Sequence, residues 1–432
     1  MQNIVPSEET LLKNFSIEDF FYRKVFLLNE KLYLCEIITS QFFITMCISN
    51  RIGPPVEGED FYGREKEIRK AIKLLDSNHS LLLSAPRRIG KSSLAKRLIE
   101  VKKKDGWKCV YIDLEETTTE EGFLRLIIES FKKNDIWKQL AEGMSKGLTS
   151  ILERIEKVSV GPVDFSLERK EEQEDLYKNL KELIKHEEDT FIVVDELTLF
   201  LGILNKNENG AEKVAFILNW LRSLRQVSKT NVRWLFCGSV GLRNFTSAMN
   251  LGYTINDLTE FSLDELTEEE AAGLLTSLCK SEEIKIDNNL VQYTLEKLHW
   301  NIPYFIQIIF SKLVEDYEDG ITEENIDNAY NKLCSENYLN TWSERLTEYR
   351  TYESIARKIL KLLSTQESGL KRSTILDYLM TEQDSSKIEE FDFTLSKVLE
   401  MLENDGYILK KDSLRAFRSP LLRDYWYNKF VE

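Results

Sequence analysis

Between residues 80 and 238 short apolar runs alternate with stretches of helical period. The runs "SLLLS" at 80–84, "KCVYIDL" at 108–114, "FIVVDE" at 191–196 and "VRWLFCG" at 232–238 have the near-continuous apolar character of strands buried on both faces. Helical segments separate them at 91–104, at about 119–156, in the charged "KEEQEDLYKNLKELIKHEED" and at about 211–228, with a short extended piece around "VSVGPVDFSLE". "IRKAIKLLDSN" predicts one more helix ahead of the first strand. Strands of this kind separated by helices predict an α/β core built on a parallel sheet.

From about residue 262 the strands stop. "LTEEEAAGLLTSLC", "NLVQYTLEKLH", "YFIQIIFSKLVEDY" and "TEENIDNAYNKLC" read as helices, and Thr267 with Glu270 and Thr322 with Asn325 form capping boxes at two of their starts. A helical lid is the simplest reading. Beyond it, "YESIARKILKLLS", "KRSTILDYLM" and "DFTLSKVLEMLENDGYILKKDSLRAFRSP" predict three helices and then two short strands around a charged turn, the element order of a winged helix. Turn formers in "NRIGPPVEGEDFYGRE" mark the entrance to the core. The predicted division is an N-terminal appendage at 1–50, the α/β core at 51–261, the lid at 262–345 and the winged helix at 346–432.

Composition agrees with several cores in one chain. At 432 residues and 42% apolar residues, the sequence can fill two to four domains. Its net charge of -15 excludes a protein coated for non-specific nucleic-acid or anionic-membrane binding and confines any such site to a local patch. The six cysteines are scattered with no CxxC pair and only three histidines accompany them, which supports neither a disulfide framework nor a zinc cluster and fits a reducing cytoplasm. The N-terminus lacks a basic region followed by a short apolar core, so no secretory signal is expected. The apolar segment 32–49 would place Glu36 and Gln41 in hydrocarbon, so it reads as buried or partner-covered, with no membrane span.

The chemistry concentrates in "SAPRRIGKSSL", residues 84–94, between the first strand and a helix. A loop there can gather backbone amides on an anion at a helix N-terminus. Within the run Ala85, Pro86, Arg87, Arg88, Ile89, Gly90, Lys91, Ser92 and Ser93, Lys91 would reach β and γ phosphates. Ser92 would ligate Mg2+ and Ser93 would face the α phosphate. Ala85 stands where the P-loop pattern asks for glycine; alanine serves if φ is negative, and Pro86 fixes the next φ. Arg87 and Arg88 can neutralise phosphate, contact a neighbouring subunit or pair with acids of the chain.

A carboxylate for the cation and a base for water come from "FIVVDE": Asp195 for the Mg2+ shell and Glu196 for the attacking water. Asp113 in "VYIDLEE" competes for the first role, and Asp195 is preferred. Ser239, after the strand 232–238, either senses a γ phosphate or merely makes a turn. Arg222, Arg225 and Arg243 are candidates for charge stabilisation across a subunit interface, or solvated helix residues.

Taken in order, "FYGREKEI", "APRRIGKSSLAKRL", "FIVVDEL", "WLFCGSVGL", "FSLDELTEEEAAGLL" and "IPYFIQ" resemble the archaeal-type ATPase family of the AAA+ and STAND P-loop ATPases. The likeness spans about residues 53–430. It implies ATP and Mg2+ as cofactors, ATP hydrolysis, and a nucleotide-binding core with lid and C-terminal winged helix. It further implies that Tyr62, Gly63 and Arg64 lie near the adenine end and that Pro303 packs on the nucleotide. The glycine that often precedes this proline is missing from "HWNIPYFIQ". The implied role is a nucleotide-dependent switch coupled to a partner or to DNA, or else a poorly hydrolysing regulatory module, for example in a defence or toxin-linked system. DNA contact through the winged helix would use Lys371, Arg372, Lys410, Lys411, Arg415 and Arg418, yet segment 350–432 holds 14 Lys and Arg against 14 Asp and Glu. A protein partner and a homo-oligomer are the other expected associations, and residues 1–50 read either as an oligomerisation or effector-docking element or as disordered.

Overall fold

The computed structural model describes residues 48–133, 176–181, 184, 188–227, 231–238, 241–315, 320–381 and 388–431. The appendage at 1–50, including nearly all of segment 32–49, thus lies almost wholly outside the described residues, as do the predicted extended piece near 160 and most of the charged helix after it. Among the described residues no helix is long and apolar enough to cross a membrane.

The first half builds one parallel sheet. Helix α1 (Glu65–Asp76) leads to β1 (Leu81–Ser84), α2 (Lys91–Lys104), β2 (Lys108–Asp113) and α3 (Glu120–Lys132). Then come β3 (Thr190–Asp195), α4 (Leu197–Leu204), α5 (Gly210–Arg225), β4 (Val232–Gly238), α6 (Leu242–Ala248) and β5 (Thr259–Ser262). The strands lie in the order β2-β3-β4-β1-β5, every neighbouring pair parallel. Because successive side chains point to opposite faces, Leu81, Leu83, Phe191 and Val193 pack with Leu94 and Leu98 of α2 on one side. Leu82, Val110, Ile192 and Val194 pack with Phe123 of α3, Phe200 of α4 and Leu221 of α5 on the other. Covering both faces satisfies the requirement of a parallel sheet.

Four strands and the flanking helices follow the sequence pattern. Three elements, α4, α6 and β5, do not appear in it. Helix α4 is the run "LTLFLGIL", which has no polar face to give a 3.6-residue period. Strand β5 is only "TEFS", too short for an alternation to stand out, and it exists because it pairs with β1.

The second half is helical and then mixed. Helices α7 (Glu268–Ser281), α8 (Asn288–Leu298), α9 (Pro303–Glu315) and α10 (Glu323–Ser335) form the lid. Both predicted capping boxes, Thr267 with Glu270 and Thr322 with Asn325, are present with reciprocal bonds. A short α11 (Asn340–Glu344) and a 3-10 turn at Arg345–Tyr352 lead on to α12 (Glu353–Ser364), β6 (Leu370–Lys371), α13 (Arg372–Met380) and α14 (Ile388–Asn404). Strands β7 (Ile408–Lys411) and β8 (Leu414–Phe417) and helix α15 (Pro420–Phe430) close the chain. The antiparallel order β6-β8-β7 behind three helices is the arrangement of a winged helix.

One buried cluster runs from the sheet through the lid into the winged helix. Its spine is aromatic: Phe305, Trp300, Trp342, Tyr407, Trp426 and Phe430 follow one another at ring separations of 5.6, 6.0, 5.2, 6.1 and 5.0 Å, distances at which edge and stacked contacts are attractive. At the head of this spine Gly406 meets the loop after β1. Its φ is +84°, and a Cβ there would lie 2.8 Å from Pro86 Cβ and 2.8 Å from the Trp300 ring. Replacing Gly406 with valine is therefore expected to lower the urea unfolding midpoint by an amount worth about 1–3 kcal/mol. A variant as stable as the wild type would contradict this packing.

Candidate functional site

The loops that leave β1 and β3 at their carboxyl ends border a cleft of about 340 Å3, the edge of such sheets where ligands bind. Its floor is the first turn of α2. Gly90 precedes that helix with φ 101°, a left-handed conformation that costs a glycine nothing. The N–H groups of the first turn have no acceptor within the helix.

Lys91 lies across the loop, 7% exposed, and its Nζ donates to the carbonyls of Ala85 and Pro86, each at 2.8 Å. Burial lowers its pKa to about 8, countered in part by Glu196 and Asp195 and reinforced by the charge of Arg345. Arg88 holds a left-handed φ of 65°. Its Nη1 donates to Gly53 O at 3.1 Å and its guanidinium covers the ring of Tyr304 at 4.7 Å, while its Nε is buried with no acceptor. Arg87, Ile89, Ser92 and Ser93 also line the cleft, and Ser93 Oγ accepts from Val56 N at 3.1 Å. Ala85 and Pro86 form the turn behind it.

Asp195 ends β3 and is 2% exposed. Its Oδ2 accepts from the Tyr111 hydroxyl at 2.6 Å and its Oδ1 from Glu196 N at 3.0 Å, so both oxygens are fixed in direction. Burial and this carboxylate push the Tyr111 pKa up. Burial, with Asp195 beside it, does the same to the Cys237 thiol at the end of β4. Glu196 occupies a left-handed φ of 51° at the β3–α4 corner, a conformation a non-glycine residue holds only where its surroundings impose it. Asp113 is the register partner of Asp195 on β2 and also lines the cleft, but it is exposed and accepts from Glu115 N.

The other wall is the entrance loop and the lid. Tyr62 lies against Gly273 of α7, and burial with the nearby charges of Glu65 and Glu270 raises its pKa to about 12. Gly63 adopts φ 70° beside Glu270. Arg64 lines the cleft while nearly all its donors are spent on structure, with Nη1 on Asp264 O at 2.5 Å and Nη2 on Ile89 O at 3.2 Å. It fastens the phosphate-loop sequence to the start of the lid. Pro303 opens α9 and faces the cleft with Tyr304 and Gln307. Ser239 lies outside the described residues.

Several contributors are not among the residues singled out in the sequence. Tyr111, Tyr304 and Gln307 join the cleft only because of how their elements pack. Arg345 arrives from the segment ahead of the winged helix, its Nη2 3.9 Å from Glu196 Oε2. Arg225 and Arg243, by contrast, are paired within the chain, with Asp257 and Glu260, and Arg222 covers the ring of Tyr253.

Chemically the cleft suits a polyanion. A helix N-terminus, the Lys91 ammonium and the orphaned Arg88 Nε all offer donors to negative charge. Among the described residues no group of three or more His, Cys, Asp or Glu is placed to hold a metal. A cation here would therefore rely on Ser92, Asp195, water and ligand oxygens, the habit of Mg2+.

The depressed ammonium has a consequence for stability. Between pH 8 and 10.5 the unfolded chain keeps the Lys91 proton that the folded chain releases, so this residue's contribution rises with pH across that window. The unfolding midpoint of the wild type minus that of Lys91→Met, followed by calorimetry without nucleotide, is expected to increase from pH 8 to 10.5. A flat difference would mean an ordinary lysine.

Comparison with known proteins agrees with this geometry. A family model described as an AAA domain matches residues 75–245. No curated protein matches the sequence. The chain superposes on the Walker-type ATPase PABY2304 of Pyrococcus abyssi with a TM-score of 0.59 and 19% identity, over 87% of this chain and 99% of that one. It also matches the ORC2 protein of Aeropyrum pernix (TM-score 0.48, 14% identity, 90% and 98% coverage) and RuvB of Thermotoga maritima (0.41, 13%, 83% and 93%). The family match falls on the strands and loops that build the cleft, and the superposition on the Walker-type ATPase shows the same fold.

Proposed function

We propose that the chain binds ATP with Mg2+ in this cleft, hydrolyses it, and acts in the cytoplasm as a nucleotide-dependent switch of the AAA+/STAND kind. The observation that carries the reading is the meeting of Lys91, Asp195 and Glu196 in one cleft over the first turn of α2. Lys91 exchanges its loop carbonyls for the β and γ phosphates, Arg87 and Arg88 add positive charge at the rim, and the Ser93 hydroxyl serves the α phosphate. Ser92 and Asp195 hold the cation, whose bound charge neutralises phosphate oxygens. Glu196 orients and polarises the attacking water. Tyr62, Gly63 and Arg64 border the base, and Pro303 brings the lid onto the nucleotide. The core, lid and winged helix, at 51–261, 262–345 and 346–432, would move as its parts.

A second reading, a nucleotide-binding regulatory module that turns over poorly, draws on the same site. Arg345 faces the Glu196 carboxylate, and a carboxylate held by a guanidinium is a weaker base.

The partner is better read as protein than as DNA. Of the six cations named for DNA, Arg372 is bound to Asp392 at 2.6 Å and Arg415 to Glu403 at 2.5 Å, while Arg418 lies on the Trp300 ring at 5.3 Å. Helix α14, last of the three helices before the wing, carries five acids, Glu389, Glu390, Asp392, Glu400 and Glu403, against Lys397 alone. A second copy of the chain is an equally natural partner.

Two measurements test these points. Lys91→Ala is expected to lose ATP binding, whereas Glu196→Gln retains it and turns over at least about a hundredfold more slowly; wild-type turnover in Glu196→Gln would remove the hydrolysis assignment. A short DNA duplex titrated at 20 mM salt is expected to leave the protein's fluorescence anisotropy signal unchanged. Binding that weakens steeply as salt is added would reinstate DNA as the partner.

A further inference from the structure

We propose that Gln307 reads the nucleobase, hydrogen-bonding through its side-chain amide to the 6-amino edge of adenine. The inference rests on the nucleotide-binding reading above and adds to it the residue that selects the base.

The first observation is an unmet amide. Gln307 is 9% exposed, and among the described residues its side chain has no hydrogen-bond partner. Its contact with the entrance loop is made by its backbone carbonyl, which accepts from Asn50 Nδ2 at 3.2 Å. On either side in α9 stand Ile306 and Ile308, both fully buried. An amide drawn out of water into such surroundings without a partner destabilises the fold, where an apolar side chain would not. Its donor and acceptor are therefore available to a ligand.

The second is direction. Gln307 follows Pro303 by four residues, one helical turn, so the two share a face of α9, and both line the cleft. The entrance loop and α7 bring Pro54, Pro55 and Leu274 to the same cleft. These are apolar surfaces suited to the flat face of a heterocycle, with one amide among them to fix its orientation. Lys91, Asp195 and Glu196 are assigned to phosphate, cation and water, which leaves the base to this wall.

The third is chemical match. A carboxamide offers an acceptor, Oε1, beside the donors on Nε2. Adenine presents the complementary pair, the 6-amino donor beside a ring-nitrogen acceptor. Oε1 accepts from the 6-amino group while Nε2 donates to the ring nitrogen, so both unmet groups are satisfied at once. A purine without the 6-amino group leaves Oε1 buried and unmet, the circumstance in which a polar site discriminates best. The Asn50 bond to Gln307 O ties the entrance loop to this turn of α9, so the amide is in place before a ligand arrives.

The experiment uses the full chain and isothermal titration with two probes, ADP and purine riboside 5′-diphosphate, which differ only in the 6-amino group, each with Mg2+. The wild type is expected to bind ADP about five- to tenfold more tightly than the analogue, the worth of one hydrogen bond to a buried acceptor. Gln307→Met, which keeps the length of the side chain and loses the amide, should weaken ADP to the level of the analogue and bind the two probes within about twofold of each other. Urea unfolding without nucleotide is the second readout. The midpoint of Gln307→Met should equal or exceed that of the wild type, because removing an unmet buried amide costs the fold nothing, and Gln307→Leu repeats the measurement with a different side-chain shape. A preference for ADP that survives in Gln307→Met, or no preference in the wild type, overturns the base-reading role and leaves nucleotide binding standing. A midpoint lowered in both variants makes the amide a structural group and overturns that role as well. A wild type that binds neither probe overturns the nucleotide reading itself and this inference with it.

Discussion

The buried ammonium of Lys91 governs the arrangement around it. A lysine this enclosed needs acceptors, and it finds the carbonyls of Ala85 and Pro86, which keeps the loop curled over the N-terminus of α2. The loop can keep that shape because Gly90 and Arg88 take left-handed φ values and because Arg64 ties Ile89 O to the start of the lid. Negative charge must also stand nearby. Asp195 and Glu196 supply it at the end of β3, separated from β1 by β4, and the parallel order of the sheet brings those strand ends to the same edge. Ala85 in place of the usual glycine fits this scheme, since it is the carbonyl of that residue that the lysine uses.

The same loop is where the halves of the chain touch. Pro86 meets Gly406, Arg88 meets Tyr304 of α9, and Glu196 meets Arg345. Each contact joins a cleft residue to a different C-terminal element. The aromatic spine from Phe305 to Phe430 makes those elements stiff relative to one another, because packed rings repack only in discrete steps. The phosphate loop, the lid and the winged helix are thus packed directly on one another.

Much of the frame was legible in the amino-acid sequence for a simple reason: parallel strands are apolar throughout, and the helices between them carry a clear stripe. Lys91, Ser92, Asp195 and Glu196 could be named because each sits a fixed number of residues from the end of such a strand. Where local pattern fails, tertiary contact decides. Helix α4 is apolar on every side because it is enclosed by α5, α6 and β4, and β5 is four residues held by one neighbour. Arg345 lies in "NTWSERLTEYRTY", which has neither period nor motif, and only the packing of Trp342 brings it to Glu196. Arg64 was legible as a site residue but not as a fastener, since its partners are backbone carbonyls that no sequence marks.

Charge decides what the winged helix can touch. Its basic and acidic residues balance in number, yet their placement is uneven: Arg372, Arg415 and Arg418 lie on Asp392, Glu403 and Trp300, and Glu389, Glu390 and Glu400 of α14 are left exposed along with Phe393, which is 72% exposed. A duplex approaching that helix would meet negative charge and an apolar ring. Phosphate backbones are held by clustered cations, and those that remain exposed, Lys371, Lys410 and Lys411, lie on the strands of the small sheet. The helix that precedes the wing thus presents exposed carboxylates and an apolar ring where phosphate binding would call for clustered cations.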